Sequence, residues 1–116
     1  SSDMRDLLNA EQNDSRAADA IALFCYQAKK WIGALAAALG GLDTLVFSAG
    51  IGERSPVIRA RICAGLEFLG ITLDPTHNER DAAVISKERS AVTVRVIRTD
   101  EEREIVESVV RLLGGA

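Results

Sequence analysis

Aromatic residues are scarce: three Phe, one Trp and one Tyr make up 4% of the 116 positions. That scarcity argues against a stacking platform for nucleobases of single strands. An excess of positive charge is missing too. Fourteen Lys and Arg stand against seventeen Asp and Glu, a net charge of −3. The charge balance therefore gives no case for nucleic acid or an anionic membrane surface, which would call for a basic patch. The longest apolar stretch, around Trp31 to Leu39, is too short to span a bilayer. No signal-peptide pattern is visible. There are only two cysteines, Cys25 and Cys63, each within an apolar helical pattern. They are expected to be buried free thiols in a reducing, cytoplasmic compartment. The single histidine, His77, has no partner at ligand spacing, so it reads as neither a metal ligand nor a catalytic base. No Ser/His/Asp or Cys/His set has supporting context. Internal repeats and low-complexity segments are absent.

What remains is ordinary for one small folded domain, with 47% hydrophobic residues. Ser2 or Asp3 can cap a short helix through about Leu8. Asn13, Asp14 and Ser15 punctuate, and a long helix is expected to run to about Leu39. Ile21, Phe24, Cys25, Ala28, Ile32, Leu35 and Leu39 follow the three-four spacing of its inward face. Gly40-Gly41 ends it. Leu45-Val46-Phe47 reads as a buried strand. A helix from Pro56 to about Ala64 follows, with Ile58, Ile62 and Cys63 inward. Gly65, Gly70 and Asp74-Pro75 break the next stretch into short pieces. Ala83-Val84-Ile85 reads as a short strand and Val92–Ile97 as a longer, half-exposed one. Thr99 or Asp100 is expected to cap a last helix with Ile105, Val109 and Leu112 on one face. The order of elements gives an α/β class. The chain opens on Ser1 rather than methionine, as if in mid-structure, and is expected to be a fragment of something longer.

The segment from Leu45 to Pro56 carries the clearest functional signal. A short apolar run ends in Gly50-Ile51-Gly52, and a helix start follows at Ser55-Pro56. Glycines there allow positive φ and close approach of a ligand to the backbone. Ser55 is a good N-cap, and proline suits the first helical position. A strand, a glycine turn and a helix N-terminus together are a common way to hold a nucleotide or its phosphates. The third glycine of the dinucleotide fingerprint and the Gly-Lys-Ser/Thr of a Walker loop are both missing. The plain alternative is a simple strand-to-helix connection.

Other residues admit two readings each. Thr99-Asp100-Glu101-Glu102 again joins a strand to a helix start, where ligands of α/β sheets gather. Its acids either complement the helix dipole or help hold Mg²⁺ beside phosphate oxygens. Asp3 and Arg5 either cap and pair at the surface or contact a nucleotide. Arg59 and Arg61 are expected to be solvated, with a phosphate clamp as the alternative.

Three segments in order, Ser1-Ser2-Asp3-Met4-Arg5-Asp6-Leu7, Val46-Phe47-Ser48-Ala49-Gly50-Ile51-Gly52-Glu53 and Val96-Ile97-Arg98-Thr99-Asp100-Glu101-Glu102, resemble the acetate kinase (acetokinase) family. Gly65-Leu66-Glu67-Phe68-Leu69-Gly70-Ile71 between them does so as well. The resemblance covers the whole chain and corresponds to the C-terminal part of the family's sequence, without its N-terminal domain. It implies a ribonuclease-H-like core shared with actin, sugar kinases and heat-shock ATPases. It implies phosphoryl transfer between ATP and acetate, with Mg²⁺, by a homodimer when the protein is complete. Asp3, Met4 and Arg5 then correspond to a nucleotide-contacting segment. Gly50, Ile51, Gly52, Glu53 and Arg54 correspond to the turn against the adenosine, and Glu101 to a magnesium-associated glutamate. The sequence departs from the family at Arg54, where Asn is usual, and at Arg98, where Pro is usual. The family's phosphate loop, acid-pocket residues and catalytic aspartate have no counterpart, so no catalytic residue is assigned and the fragment alone is expected to be inactive. A propionate or butyrate kinase of the same family is one alternative. A non-catalytic α/β interaction module, using the Ala-rich long helix as a docking surface, is the other.

Overall fold

The computed structural model describes residues 2–98 and 110–112. Helix α1 spans Ser2–Ala10, so Ser2 and Asp3 lie in its first turn rather than before it. Leu7 and Leu8 pack against the core. Asp14 then caps α2, Ser15–Leu39, by accepting from the Arg16 N–H at 2.9 Å. The buried stripe of α2 is Ala17, Ile21, Cys25, Ala28, Ile32 and Ala36, with Phe24 and Leu35 packed at its border. Leu39, expected on that face, is instead 63% exposed. The helix simply outruns what it packs on. Its 25 residues extend about 37 Å at the usual rise, whereas a five-residue strand extends about 17 Å. Gly40 closes the helix with φ +79, a conformation that favours glycine.

Strand β1, Thr44–Ser48, follows and is almost wholly buried. It lies in the middle of a parallel sheet ordered β2-β1-β3. Strand β2, Thr93–Ile97, pairs Thr44 with Thr93 through Ser48 with Ile97. Strand β3, Val110–Leu112, pairs Leu45 with Val110 through Phe47 with Leu112. A central parallel strand is covered on both faces, which explains the unbroken apolar run of β1. The edge strand β2 alternates, with Val94 and Val96 buried and Arg95 exposed.

Two sequence expectations change here. Leu112 stands in β3 and not in a last helix; the second edge of β1 takes these residues as a parallel partner. Residues 99–109 of that expected helix lie outside the described residues. Ala83–Ile85 forms no strand of its own. It lies antiparallel along the outer edge of β2 through an isolated bridge between Val84 and Arg95. The pairing stops because the Ser86 hydroxyl accepts the Val94 N–H at 3.0 Å, in place of a backbone carbonyl.

Between β1 and β2 the chain is helical in short pieces: α3, Gly50–Arg54; α4, Pro56–Cys63; a 3₁₀ turn, Glu67–Leu69; and α5, Pro75–Glu79. Ile58, Ile62 and Cys63 of α4 face inward as expected, and Arg59 is buried beside them. The core gathers Ile21 and Ile32 of α2, Leu45 and Phe47 of β1, Ile58 and Ile62 of α4, and Val94 of β2. Lys29 of α2 donates to the Ala64 carbonyl and ties the end of α4 to the long helix. Both cysteines are free and buried. Among the described residues, no helix is long and apolar enough to cross a membrane.

Candidate functional site

The strand-to-helix junction after β1 is more compact than a loose turn. Ala49 has φ 57 and ψ 154, and Gly50 has φ +45. The chain reverses sharply at these two residues and enters α3 at once. Gly50 needs the left-handed region that glycine tolerates. Gly52 does not take positive φ; it is a buried residue inside α3. Ser55 then caps α4, accepting the Ile58 N–H at 3.2 Å, with Pro56 at the first helical position.

This junction and the first turns of α1 form two walls of one cleft of about 340 Å³. Met4, Arg5 and Leu8 line it from α1. Gly50, Ile51 and Arg54 line it from α3, with Ser55 and Pro56 beyond. Two motifs far apart in sequence thus meet across one space. Met4 is buried, Ile51 is half-buried, and Arg5 and Arg54 are exposed. The lining is an apolar floor with two guanidinium-bearing side chains at its margin, the mix usual for small-molecule sites. Gly52 is buried behind the cleft, and Glu53 is half-buried on α3. Asp3 belongs to α1 by its backbone. Glu101 lies outside the described residues. Among the described residues, no group of three or more His, Cys, Asp or Glu could hold a metal ion.

The walls are braced from outside. Glu11, just past α1, accepts from both terminal nitrogens of Arg61 on α4, at 2.7 and 2.8 Å. The Arg61 guanidinium holds the Glu11 carboxyl below its ordinary range, first by hydrogen bonding. Arg61 is exposed, as expected, and its surface pair with Glu11 joins α4 to the end of α1. Arg59 departs from expectation. It is 0% exposed and donates to the Gly52 carbonyl at 3.1 Å. Ser55 and Pro56 belong to the helix start already noted in the sequence, whereas Leu8 was not singled out there. Its signal is position alone, one turn on from Met4.

Both thiols are poor nucleophiles in this setting. Burial pushes Cys63 up to about 12, and burial likewise raises Cys25. His77 is exposed, and its ring nitrogen lies 3.4 Å from Asp74, which caps α5. His77, expected to lack a partner, thus has one in Asp74 at the start of α5.

The acetokinase family matches residues 1–107. The acetate kinase of Dictyoglomus thermophilum is 50% identical over 117 residues, covering 98% of this chain and 29% of the relative. The crystal structure of Porphyromonas gingivalis acetate kinase aligns with a TM-score of 0.79 at 45% identity, over 88% of this chain and 27% of that one. A propionate kinase from Francisella tularensis aligns with a TM-score of 0.75 at 34% identity, over 85% of this chain and 26% of that one. The chain thus spans about 29% of the length of the curated relatives it matches. The α/β class and the kinship with the actin, sugar kinase and heat-shock ATPase fold stand with these neighbours.

Proposed function

The chain belongs to the acetokinase family, and we propose that it is the C-terminal, nucleotide-holding segment of a kinase that moves a phosphoryl group between ATP and acetate. The observation that carries this reading is the meeting of Met4-Arg5 with Gly50, Ile51 and Arg54 across one cleft. The apolar side chains of Met4, Leu8, Ile51 and Pro56 suit the face of a purine and its ribose. Arg5 and Arg54 offer planar, permanently charged donors at the margin, suited to ribose oxygens or phosphate. Gly50 has no side chain and open space where a Cβ would stand, which leaves the backbone bare where a base would approach.

Phosphoryl transfer depends on in-line positioning and on neutralising charge. In this division of labour the chain positions ATP from its adenosine end. Mg²⁺, when bound, supplies charge neutralisation at the phosphates, and Glu101 is the carboxylate proposed to hold it, directly or through water. Residues that bind the acid and stabilise the transferred phosphoryl are proposed to come from the rest of the complete protein. That protein is proposed to be a cytoplasmic homodimer without nucleic-acid or membrane partners; two free, buried thiols support the reducing compartment. The likeness to a propionate kinase favours a second reading in which the acid is propionate or butyrate.

Trapping the acyl phosphate with hydroxylamine tests both. The complete protein should give acyl hydroxamate from ATP and one short-chain acid, and the isolated 116-residue chain should stay at background. A complete protein inactive with acetate, propionate and butyrate would sink the proposal. A fast isolated chain would sink the division of labour.

A further inference from the structure

A fully buried guanidinium is costly unless its donors are met. Arg59 meets that demand with atoms from three segments. Its Nε donates to Asn78 Oδ1 at 2.8 Å, and its Nη2 donates to the Asn78 carbonyl at 2.8 Å and to the Asp81 carboxylate. Its Nη1 donates to the Gly52 carbonyl at 3.1 Å. Asn78 is itself buried and pinned, donating through Nδ2 to the Pro56 carbonyl at 2.9 Å. Asp81 reaches the guanidinium from a left-handed conformation, φ 52, which aspartate tolerates better than most residues. A lone hydrophobic residue would fill the same space. The arginine also grips one backbone atom of the glycine segment.

We propose that Arg59 is a positioning residue for the cleft: clamped by Asn78 and Asp81, it holds the Gly52 carbonyl and so fixes Ile51 and Arg54 where they line the nucleotide site. Helix α3 has five residues, far below the length at which a helix holds itself. Ile51 precedes Gly52 and Arg54 follows two residues on, within the same helical turn, so a shift of that carbonyl moves both lining residues. Only a planar fork reaches Gly52, Asn78 and Asp81 at once; a lysine ammonium on the same stem does not. The nucleotide role rests on the function proposed above, whereas the bracing of α3 does not.

The test uses the complete protein and two variants, Arg59→Lys and Asp81→Asn. Asparagine accepts a hydrogen bond and tolerates left-handed backbone, so Asp81→Asn keeps the fold while removing the charge at the clamp. Amide hydrogen exchange is read at residues 51–54 and 45–48, beside ATP affinity and the KM for the acid. Faster exchange at 51–54 with β1 unchanged is expected. ATP affinity should fall by about three- to tenfold, the effect of one weakened charge-assisted hydrogen bond, with the acid's KM constant. Exchange that rises uniformly, or ATP affinity unchanged in a folded variant, would overturn the positioning role. If Arg59→Lys does not fold, Asp81→Asn decides alone. A wild-type protein that binds no ATP would refute the function proposed above, and exchange at 51–54 would still decide whether Arg59 braces α3.

Discussion

One substitution at two glycines isolates the backbone geometry of the cleft. Gly33 lies inside α2 and Gly50 opens α3; an added Cβ would meet nothing within 4 Å at either. Sterics with neighbours therefore cancel, and backbone conformation decides. At Gly33 the helix is regular, and alanine is favoured over glycine by about 1 kcal/mol in a helix interior. Gly50 has φ +45, where an L side chain costs about 1–2 kcal/mol. The stiffer unfolded chain returns about 0.4–1 kcal/mol of that. Gly33→Ala should stabilise by somewhat under 1 kcal/mol, and Gly50→Ala should destabilise by about 1 kcal/mol. The two variants should thus lie about 2 kcal/mol apart in urea unfolding of the complete protein. ATP affinity should drop only for Gly50→Ala, because that Cβ is added on the cleft wall. Equal shifts of the same sign would refute the assignment of left-handed backbone to Gly50.

Gly70 should tolerate substitution less well than Gly33 or Gly50, since it has φ +92 and an added Cβ would lie 2.9 Å from the Ala91 Cβ; Gly70→Ala should cost about 2–3 kcal/mol in the same unfolding assay. The Glu11 carboxyl is lowered from 4.5 by Arg61, so its contribution is present above that value and lost as pH falls through the folded one; Arg61→Ala should flatten the acid limb of a stability–pH curve. Cys63 runs the other way, raised from 9.0 to about 12 by burial, so its contribution is complete below pH 9 and lost as pH climbs towards 12; Cys63→Ala should flatten that alkaline limb. Glu101→Gln should raise the Mg²⁺ needed for half-maximal turnover while leaving the thermal melt within a few degrees, because the amide keeps the shape and loses the charge. An unchanged Mg²⁺ titration with a lowered melt would instead assign Glu101 to helix-dipole complementarity.

Elements with strong periodicity were legible in the sequence. The buried stripe of α2, the apolar run of β1, the alternation of β2 and the Ser55-Pro56 start of α4 each follow from local chemistry. The Met4-Arg5 and glycine segments were read from the sequence as candidate ligand-facing residues, and residues of both line one cleft. The misses are tertiary. Helix α3 was unreadable because Gly50-Ile51-Gly52 has poor helix propensity and is held from outside by Arg59. Arg59 itself reads as a solvated position on an amphipathic helix; only the folding of Asn78 and Asp81 over it makes burial favourable. Leu112 had helical spacing with Ile105 and Val109, yet parallel pairing to β1 is a non-local interaction that no local pattern encodes. Leu39 kept the right period and lost its burial because α2 runs beyond the sheet.

The proposed function puts an adenine nucleotide between α1 and the glycine segment. Photolabelling the complete protein with an azido-adenine ATP analogue, followed by peptide mapping, tests it most directly. Adducts are expected within residues 4–8 and 50–56, suppressed by excess ATP and reduced when Gly50 is replaced by alanine. ATP-protected labelling that falls elsewhere in the protein, with both segments unmodified, would contradict it.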